Sequence, residues 1–398
     1  MTVEGTSAGM DWTRATLALD TAARTLLENP HLTGGVDRDE SVRFVTRFLV
    51  AASTFELESD PLYPHLERVF SALGGNWFLP CPDGLYLYAV LDGRFDYRIE
   101  CSRGTAHMLV AEVFQGGFHD VPNMHVFDSR SAFDIDGHGC FEITLGQDDR
   151  PGNHLRIPPG PSLVLLRQWF YDWDTEERGQ FIIERVGETD DAPRPADLTL
   201  GTRWQRYVDF LDGTARSLIA SVATHYGAPA DRVPFPPMMK SVSDLADDDP
   251  YSMRGQVYGQ GYYRCQPGEA VIMELEPPDC EYWSFALYSH FWEIHDWLFR
   301  TTSINGRQAV LDDDGRFRAV ISHSDQGVPN WLDAGGRTFG LIGGRYYGTR
   351  SVPEPSLRTV PLTELRDHLP ATSVSVTPAE RAESMRRRIR ALRRRFSS

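Results

Sequence analysis

The sequence predicts a mainly β protein with helices, in which two related antiparallel, jelly-roll-like β-sandwich halves lie between a helical N-terminal collar and a basic C-terminal helix. Three observations lead to this prediction. Short apolar stretches separated by turn residues fill 84–185 and again 255–350. Helical spacing is confined to the N-terminus, a middle segment and the C-terminus. The 398 residues, 41% of them apolar, suffice for several hydrophobic cores.

Residues 1–75 are expected to form the helical collar. Apolar side chains recur at helical spacing over 11–28, 38–57 and 61–73, and the pair Asn29-Pro30 ends the first of these helices. An amphipathic helical segment of this kind buries its apolar stripe on a neighbouring domain. We therefore interpret the collar as a packing element rather than as a binding module.

Residues 76–186 are predicted to form the first β-sandwich. From Gly84 the spacing of apolar residues changes to the period of two that is typical of strands, and Asp92-Gly93 marks a hairpin turn. No long helical pattern interrupts the series that follows. The predicted strands are 85–91, 95–99, 106–114, 140–145, 163–170 and 180–185.

An acidic, Pro-containing linker opens the segment 187–250, which also holds a predicted helix over 202–226. Residues 251–370 are predicted to form the second β-sandwich, with Asn-Gly and Asp-Gly turns on either side of the predicted strand 307–311. The other predicted strands are 257–265, 269–276, 282–288, 316–322 and 339–347.

The two strand regions read as repeats of one another. Corresponding residues, at nearly equal spacing in the two regions, are Phe141 and Phe317, Asn153 and Asn330, Leu155 and Leu332, and Arg167 and Arg345. Asp and Asn residues that recur in both halves are expected to tie down their own turns. An accidental likeness between amphipathic strands is the alternative.

Residues 371–398 are predicted to form a basic C-terminal helix. Thr377 is suited to cap it, with Pro378 in its first position and Glu380 completing a capping box. Residues 381–398 contain eight Arg and one Glu and so carry +7, which leaves −23 on the rest of a chain whose net charge is −16. Because an acidic body repels polyanions, we expect no nucleic-acid partner. The helix is interpreted as an electrostatic clamp on the acidic body or on a neighbouring subunit of a homo-oligomer.

The composition argues against several classes of protein. No run approaches the roughly 18 apolar residues of a membrane span, and no apolar N-terminal stretch with a basic flank indicates export. The five Cys are scattered, as in a reduced cytoplasmic protein, so we expect a cytoplasmic location. There is neither a phosphate-binding loop nor a dinucleotide fingerprint, so no cofactor is expected.

A metal site is not expected either. His290, Glu293 and His295 form the pattern H-x-x-E-x-H. A helix turns residues five apart well away from each other, and a strand points them to opposite faces. Neither regular structure brings both imidazoles to one metal ion, so capping and core packing are the expected roles of these histidines.

Four sequence motifs of the second half point to a known family. They are YWSFALYSHFWEIHDW, TSINGRQAVLDDDGRF, DQGVPNWLDAGG and FGLIGGRYY. In these motifs, residues 255–350 resemble the domain-of-unknown-function family 1214, and the first half is similar to the family 1254-like region often found upstream of it. The resemblance implies a pair of jelly-roll-like sandwiches, often in an oligomer and often exported, and brings no agreed catalytic residues.

The candidate functional site is the segment from His290 to Arg300, which the first half does not repeat. It follows a predicted core strand, so it should emerge at the mouth of the sandwich, where β folds place ligands. His290 with Asp296 or Asp325 is the candidate pair for proton transfer, and Arg300 is the candidate contact for an anionic or carbonyl oxygen. The candidate substrate-binding residues are Tyr288, Trp292, Trp297, Asn330 and Trp331.

Two functions from different classes fit these features. The first is an enzyme that acts on a lipophilic small molecule by His/Asp acid-base chemistry in an aromatic-lined pocket, as an isomerase, lyase or hydrolase would. The second is a non-catalytic β-sandwich that binds carbohydrate or a partner protein through exposed Trp. If the Trp-rich segment only packs the halves together, the site should be sought first around His119 and His125.

Overall fold

The computed structural model of the chain describes residues 12–28, 35–70, 79–187, 200–214, 256–289, 291–349 and 354–396. Within these ranges β-strands predominate and form four sheets, two in each half. The predicted mainly β class, with two related sandwich halves and helices at both ends, is confirmed.

The N-terminal collar consists of helix α1 (Trp12–Leu27) and helix α2 (Gly35–Ala52), which a wide helical turn (Ser53–Leu57) continues. Its apolar stripe is buried, as the helical spacing predicts. The stripe lies against the first half of the β structure, in one cluster with Tyr88, Val110 and Leu165.

The third predicted collar helix, 61–73, is wrong over its described part, and residues 71–73 lie outside the described residues. Pro61 and Pro64 stand in this segment, and each disfavours helical backbone geometry in the residue before it. The chain instead follows an irregular path and forms a short strand, β1 (Glu67–Arg68), which pairs with the first long strand.

Eight further strands build the first half: β2 (Gly84–Asp92), β3 (Tyr97–Ser102), β4 (Met108–Gln115), β5 (His125–Arg130), β6 (Cys140–Gly146), β7 (His154–Arg156), β8 (Pro161–Trp169) and β9 (Gln180–Arg185). Sheet I has the order β1-β2-β8-β4-β5, and sheet II has the order β7-β6-β3-β9. Apolar side chains from both sheets, among them Ala89, Ile99, Val113 and Ile143, fill the space between them.

Of the helix predicted over 202–226, the described part forms α3 (Leu200–Asp209) and a wide turn (Phe210–Thr214). Residues 215–226 lie outside the described residues. Helix α3 packs beside the collar, where Val208, Phe210 and Leu211 join the collar's buried cluster.

Eight strands also build the second half: β10 (Gln256–Arg264), β11 (Glu269–Leu275), β12 (Tyr282–Tyr288), β13 (Ser303–Asn305), β14 (Phe317–Ser322), β15 (Trp331–Asp333), β16 (Phe339–Tyr347) and β17 (Ser356–Pro361). Sheet III has the order β10-β16-β12-β13, and sheet IV has the order β15-β14-β11-β17. Apart from the additional β1, these orders match those of the first half strand for strand, so the predicted repeat is confirmed in topology.

The register of the strands reproduces the residue pairs predicted from the sequence. In each half one short strand pairs in parallel: Thr144 faces His154 in the first half, and Val320 faces Trp331 in the second. Counting back three residues from Thr144 and from Val320 aligns Phe141 with Phe317, as predicted. These two short pairs depart from the expected all-antiparallel arrangement.

The segment 307–311 was predicted as a strand, and this is wrong except for an isolated bridge between Leu311 and Phe317. The strand here is β13, which ends at Asn305. The Asn305 side chain accepts hydrogen bonds from the N–H groups of Arg307 (3.0 Å) and Gln308 (3.1 Å), so it curls the following residues into a turn.

Sheets I and III turn their outer sides toward each other, and we call the space between them the inter-half layer. Trp169 of β8 lies 4.9 Å from Tyr282 of β12, measured between ring centroids. Residues of both halves also share a second apolar cluster, which includes Leu85, Phe170, Ala286 and Tyr288. The halves are thus joined through a common, largely buried layer.

Helix α4 (Pro378–Phe396) confirms the predicted basic C-terminal helix and its capping box. The Thr377 N–H and hydroxyl each donate to the Glu380 carboxylate at 2.8 Å. Near its end the helix is buried rather than solvated, because Leu392 is inaccessible to solvent and packs in the cluster shared by both halves. The helix therefore belongs to the joint between the halves.

Candidate functional site

The segment after β12 folds into a tight loop. The Ser289 N–H donates to the Glu293 carbonyl (2.7 Å), and Ile294 bridges back to Tyr288. Trp292 lies in this loop with a positive φ of 57°. His290, the predicted acid–base residue, lies outside the described residues.

Three other predicted residues of this segment have structural partners. Asp296 is exposed and accepts the N–H of Phe299 (3.2 Å). Arg300 is paired with Asp333 at 2.8 Å. Trp297 is fully buried and packs on Phe396 of α4, with ring centroids 5.6 Å apart.

The predicted residues of the following loop contact α4 or the loop around Val310. Asp325 accepts a hydrogen bond from Arg381 of α4 at 2.9 Å, and the same guanidinium lies over the Trp331 ring. The Asn330 side chain accepts the N–H of Val310 (2.9 Å) and donates to its carbonyl (2.7 Å). In the described part of the chain no contact joins Asp296 or Arg300 to Asp325, and the predicted pairing of His290 with an aspartate lies outside the described residues.

Tyr288 is the predicted residue that leads to a different site. Its side chain is fully buried in the inter-half layer, where its hydroxyl donates to the Pro80 carbonyl (2.8 Å) and accepts from Arg345 (2.7 Å). Arg345, which lies in the middle of β16, also donates to the Leu79 carbonyl. Its guanidinium is stacked near the rings of Tyr258 and Tyr288, at 5.7 and 5.8 Å from their centroids.

A second buried arginine lies on the opposite side of the layer. Arg167 of β8 forms an ion pair with Glu112 of β4, with 2.7 Å between Nε and the carboxylate. Glu112 is inaccessible to solvent, and this burial raises the pKa of its carboxyl although Arg167 opposes the shift. The Arg167 guanidinium lies near the Tyr86 ring, as Arg345 lies near the Tyr258 ring.

Tyr258 of β10 stands between the two arginines and interacts with both guanidinium groups. Its hydroxyl donates to the Gln256 side chain at 3.0 Å. The residue is partly accessible to solvent, yet desolvation by its surroundings raises the pKa of its hydroxyl. Tyr258 therefore occupies a partly accessible position in the inter-half layer.

A hydrogen-bond network around Asp83 lies in the same layer. The Asp83 carboxylate accepts from Tyr282 (2.5 Å), Trp173 (2.6 Å) and Asn305 (2.9 Å), so both of its oxygens are occupied. The Cys81 sulfur lies 3.3 Å from the Tyr282 hydroxyl, and burial raises the pKa of this thiol. A buried thiol of this kind is protonated and inert, so the network holds the layer together.

We call Tyr86, Glu112, Arg167, Tyr258, Tyr288 and Arg345 the arginine–tyrosine centre. The sequence held a signal for it, since Arg167 and Arg345 each interrupt a strand that is otherwise apolar or Gly-rich. A buried charge costs several kcal/mol unless it is paired, so a charged residue in a core strand is a stronger indication of a site than a Trp-rich loop. The sequence shows Arg167 and Arg345 as a repeated pair and not as a site, because contacts between the two halves cannot be predicted from the order of residues.

Two features are absent from the described residues. They contain no group of three or more His, Cys, Asp or Glu side chains placed to hold a metal ion. Their helices include none that is long and apolar enough to cross a membrane.

Comparison with known proteins supports the fold. No protein-family model matches the chain, and a search of the curated proteins also gave no match. The crystal structure of an uncharacterized protein from Burkholderia cenocepacia matches with a TM-score of 0.80 and 25% identity, over 88% of this chain and 97% of that one. A structure from Vibrio parahaemolyticus matches with a TM-score of 0.44 and 12% identity, over 87% and 100%, which is too weak a likeness to carry an argument. The chain is therefore similar in fold to the Burkholderia protein.

Proposed function

We propose that this protein binds a small molecule with an apolar body in its inter-half layer, at the arginine–tyrosine centre. The observation that carries the proposal is the geometry of the centre, in which the buried Arg345 guanidinium lies 5.7 and 5.8 Å from the ring centroids of Tyr258 and Tyr288, and Tyr258 keeps some solvent-accessible surface. Ligand sites in proteins combine an enclosed, aromatic-lined space with a few polar groups. Tyr258, Tyr288 and Arg345 supply that combination.

Binding is favoured over the two functions expected from the sequence. Proton transfer by Asp296 or Asp325 finds no support, because the first caps its own turn and the second is paired with Arg381. A carbohydrate-stacking surface would need exposed, coplanar Trp side chains. Trp297 is buried and Trp331 lies under a guanidinium, so neither offers an open face.

Several wider expectations are part of the same proposal. We propose membership of the domain-of-unknown-function family 1214 on the motifs of the second half, and a cytoplasmic location without a nucleic-acid partner. The five cysteines are all free of disulfides, which suits a reducing compartment. A homo-oligomer is proposed from the resemblance to the family.

Native mass spectrometry of the purified protein tests the proposal, combined with analysis of the small molecules that denaturation releases. We expect a retained or added small molecule at a stoichiometry of about one per chain. Tyr258→Trp should lower the bound fraction because the larger ring would occupy the space that the ligand needs beside Arg345. Tyr207→Trp is the matched control, since Tyr207 stacks on Trp204 in α3, away from the layer. Equal loss in both variants, or no bound molecule from any extract, would contradict the proposal.

A further inference from the structure

We propose that the ligand of the inter-half layer is a small organic anion and that its carboxylate, or a group of the same charge and shape, binds Arg345. This inference rests on the proposed function and names the class of ligand. The inference is based on a comparison of the two halves, which are repeats and in which Arg167 and Arg345 occupy the same position.

The equivalence of the two arginines follows from strand register. Arg167 faces Val110 of β4, and Arg345 faces Ser284 of β12. Both arginines are the seventh residue of their strand, β8 and β16. Each arginine side chain lies on the outer side of its sheet. Each guanidinium also lies near the ring of an equivalent tyrosine, Tyr86 or Tyr258.

The environments of the two arginines differ at one position. Glu112 lies two residues beyond Val110 on the same side of β4, and it neutralises Arg167. The equivalent residue of β12, two beyond Ser284, is Ala286. The second half thus keeps the arginine and lacks its carboxylate, and among the described residues none forms an ion pair with Arg345.

A neutral hydroxyl partly replaces the missing carboxylate. Residue 114 of β4 is Phe, and the equivalent residue of β12 is Tyr288, whose hydroxyl accepts from Arg345 at 2.7 Å. The Tyr288 ring lies against Gly343, where an added Cβ would come within 2.7 Å of it. The first half has Leu165 in the place of Gly343, so in the second half the Tyr288 ring covers the sheet surface that a side chain of the strand itself covers in the first.

The groups around Arg345 are neutral, so they do not balance its charge. Burial raises the pKa of Tyr288 to about 12 and also raises those of the Tyr258 hydroxyl and the Cys81 thiol. A buried guanidinium without an anion is costly, and a bidentate carboxylate is the partner whose geometry it matches best. The Glu112–Arg167 pair shows that this layer accommodates such a contact.

Thermal-shift and calorimetric titrations with benzoate and its uncharged amide, benzamide, test the inference in dialysed protein. We expect benzoate to bind the wild type saturably and about tenfold or more tightly than benzamide, since the charge contact is lost in the amide. Ala286→Glu should supply the carboxylate internally, as Glu112 does for Arg167, and should weaken benzoate binding about tenfold or more. Val310→Glu, on an exposed residue, adds the same charge elsewhere and is the matched control.

Arg345→Gln provides a second variant if Ala286→Glu does not fold, and it should lose the preference for benzoate over benzamide. Benzoate binding that survives in every folded variant, or that falls equally in Val310→Glu, would overturn the inference. If benzamide binds the wild type as tightly as benzoate does, the proposed small-molecule site stands and the anion inference fails. If neither compound binds and no small molecule is extracted from the protein, the proposed function itself fails.

Discussion

At the scale of single residues, burial determines which charged groups are available for chemistry. Glu293 shows this outside the arginine–tyrosine centre. It is 1% exposed and paired with Arg47 of α2 at 2.7 Å. Desolvation raises the pKa of its carboxyl to about 7, although Arg47 opposes the shift. The pair ties the collar to the loop that follows β12.

Glu293 should make stability depend on pH. Because the folded-state pKa is about 7 and the ordinary value is 4.5, folding takes up a proton between these pH values. The stabilisation from this proton uptake is therefore fully present below the ordinary pKa of Glu293. It is lost as pH rises through the folded-state pKa, which lowers the free energy of unfolding by about 3 kcal/mol. Glu293→Gln should abolish this part of the slope in the free energy of unfolding, measured with denaturant at several pH values.

The control for this experiment is Glu100→Gln, which changes an exposed carboxylate on β3. It should leave the wild-type slope in place, because surface ion pairs contribute little. An unchanged pH dependence in Glu293→Gln would show that Glu293 is ionised in the folded protein at acidic pH.

The residue scale also shows what a sequence can predict. Asn330 was expected to bind substrate, although its recurrence as Asn153 also predicted an architectural role, and the structure shows the architectural contacts. Asn153 bonds both backbone groups of Asp134 as Asn330 bonds those of Val310. The recurrence of this residue in both halves makes its architectural role predictable. Its partner, 19 or 20 positions away, is not predictable from local turn chemistry, and neither is the neutralisation of Arg167 by Glu112, 55 positions away.

At the scale of elements, local signals predicted the strands and helix α4 well and failed where side chains compete with the regular pattern. Strand register follows from alternation, which a period of two makes visible in sequence. The third collar helix failed at its prolines, and the strand 307–311 failed at the Asn305 turn. Burial of α4 was missed as well, because its Arg content indicated an exposed, charge-held helix.

Helix α4 contacts the body mostly through groups other than carboxylates. Arg388 donates to the Trp297 carbonyl (2.9 Å) and Arg395 to the Pro82 carbonyl (2.6 Å), so the helix bridges both halves. Both guanidinium groups lie over the Trp173 ring. Burial lowers the pKa of each to about 10. The ion pair of Arg381 with Asp325 is of the kind that the electrostatic clamp expected from the sequence requires.

Helix α4 should therefore be held by packing. Leu392→Ala should lower the free energy of unfolding by about 2–5 kcal/mol, because Leu392 is inaccessible to solvent and its removal leaves a cavity. The measurement is denaturant unfolding at low and at high salt, and we expect the same loss in both. Arg387→Ala, on an exposed position of the same helix, should change stability by about 0.5 kcal/mol or less.

Salt dependence decides between packing and charge as the force that holds α4. A tolerated Leu392→Ala combined with a large loss of wild-type stability in high salt would show that the helix is held by charge, as the sequence had suggested.

At the scale of the whole molecule, two copies of one topology enclose a polar layer that neither half could form alone. The first half contributes a neutral pair, Arg167 with Glu112, and the second contributes Arg345 without an acid among the described residues. The repeat places Arg167 and Arg345 at equivalent positions. Their surroundings differ because Glu112 of the first half corresponds to Ala286 in the second. The sequence alone predicted the repeat but not this layer. Sheets I and III face each other through contacts between residues that are far apart in the chain.

The most direct test of this account is a crystal structure of the protein grown with benzoate. The account predicts a benzoate in the inter-half layer, with its ring beside Tyr258 and its carboxylate at about 2.7–2.9 Å from the Arg345 guanidinium. A benzoate-free crystal should show Arg345 still bonded to Tyr288. A layer that excludes benzoate while Arg345 is ion-paired with a carboxylate of the protein would contradict the account.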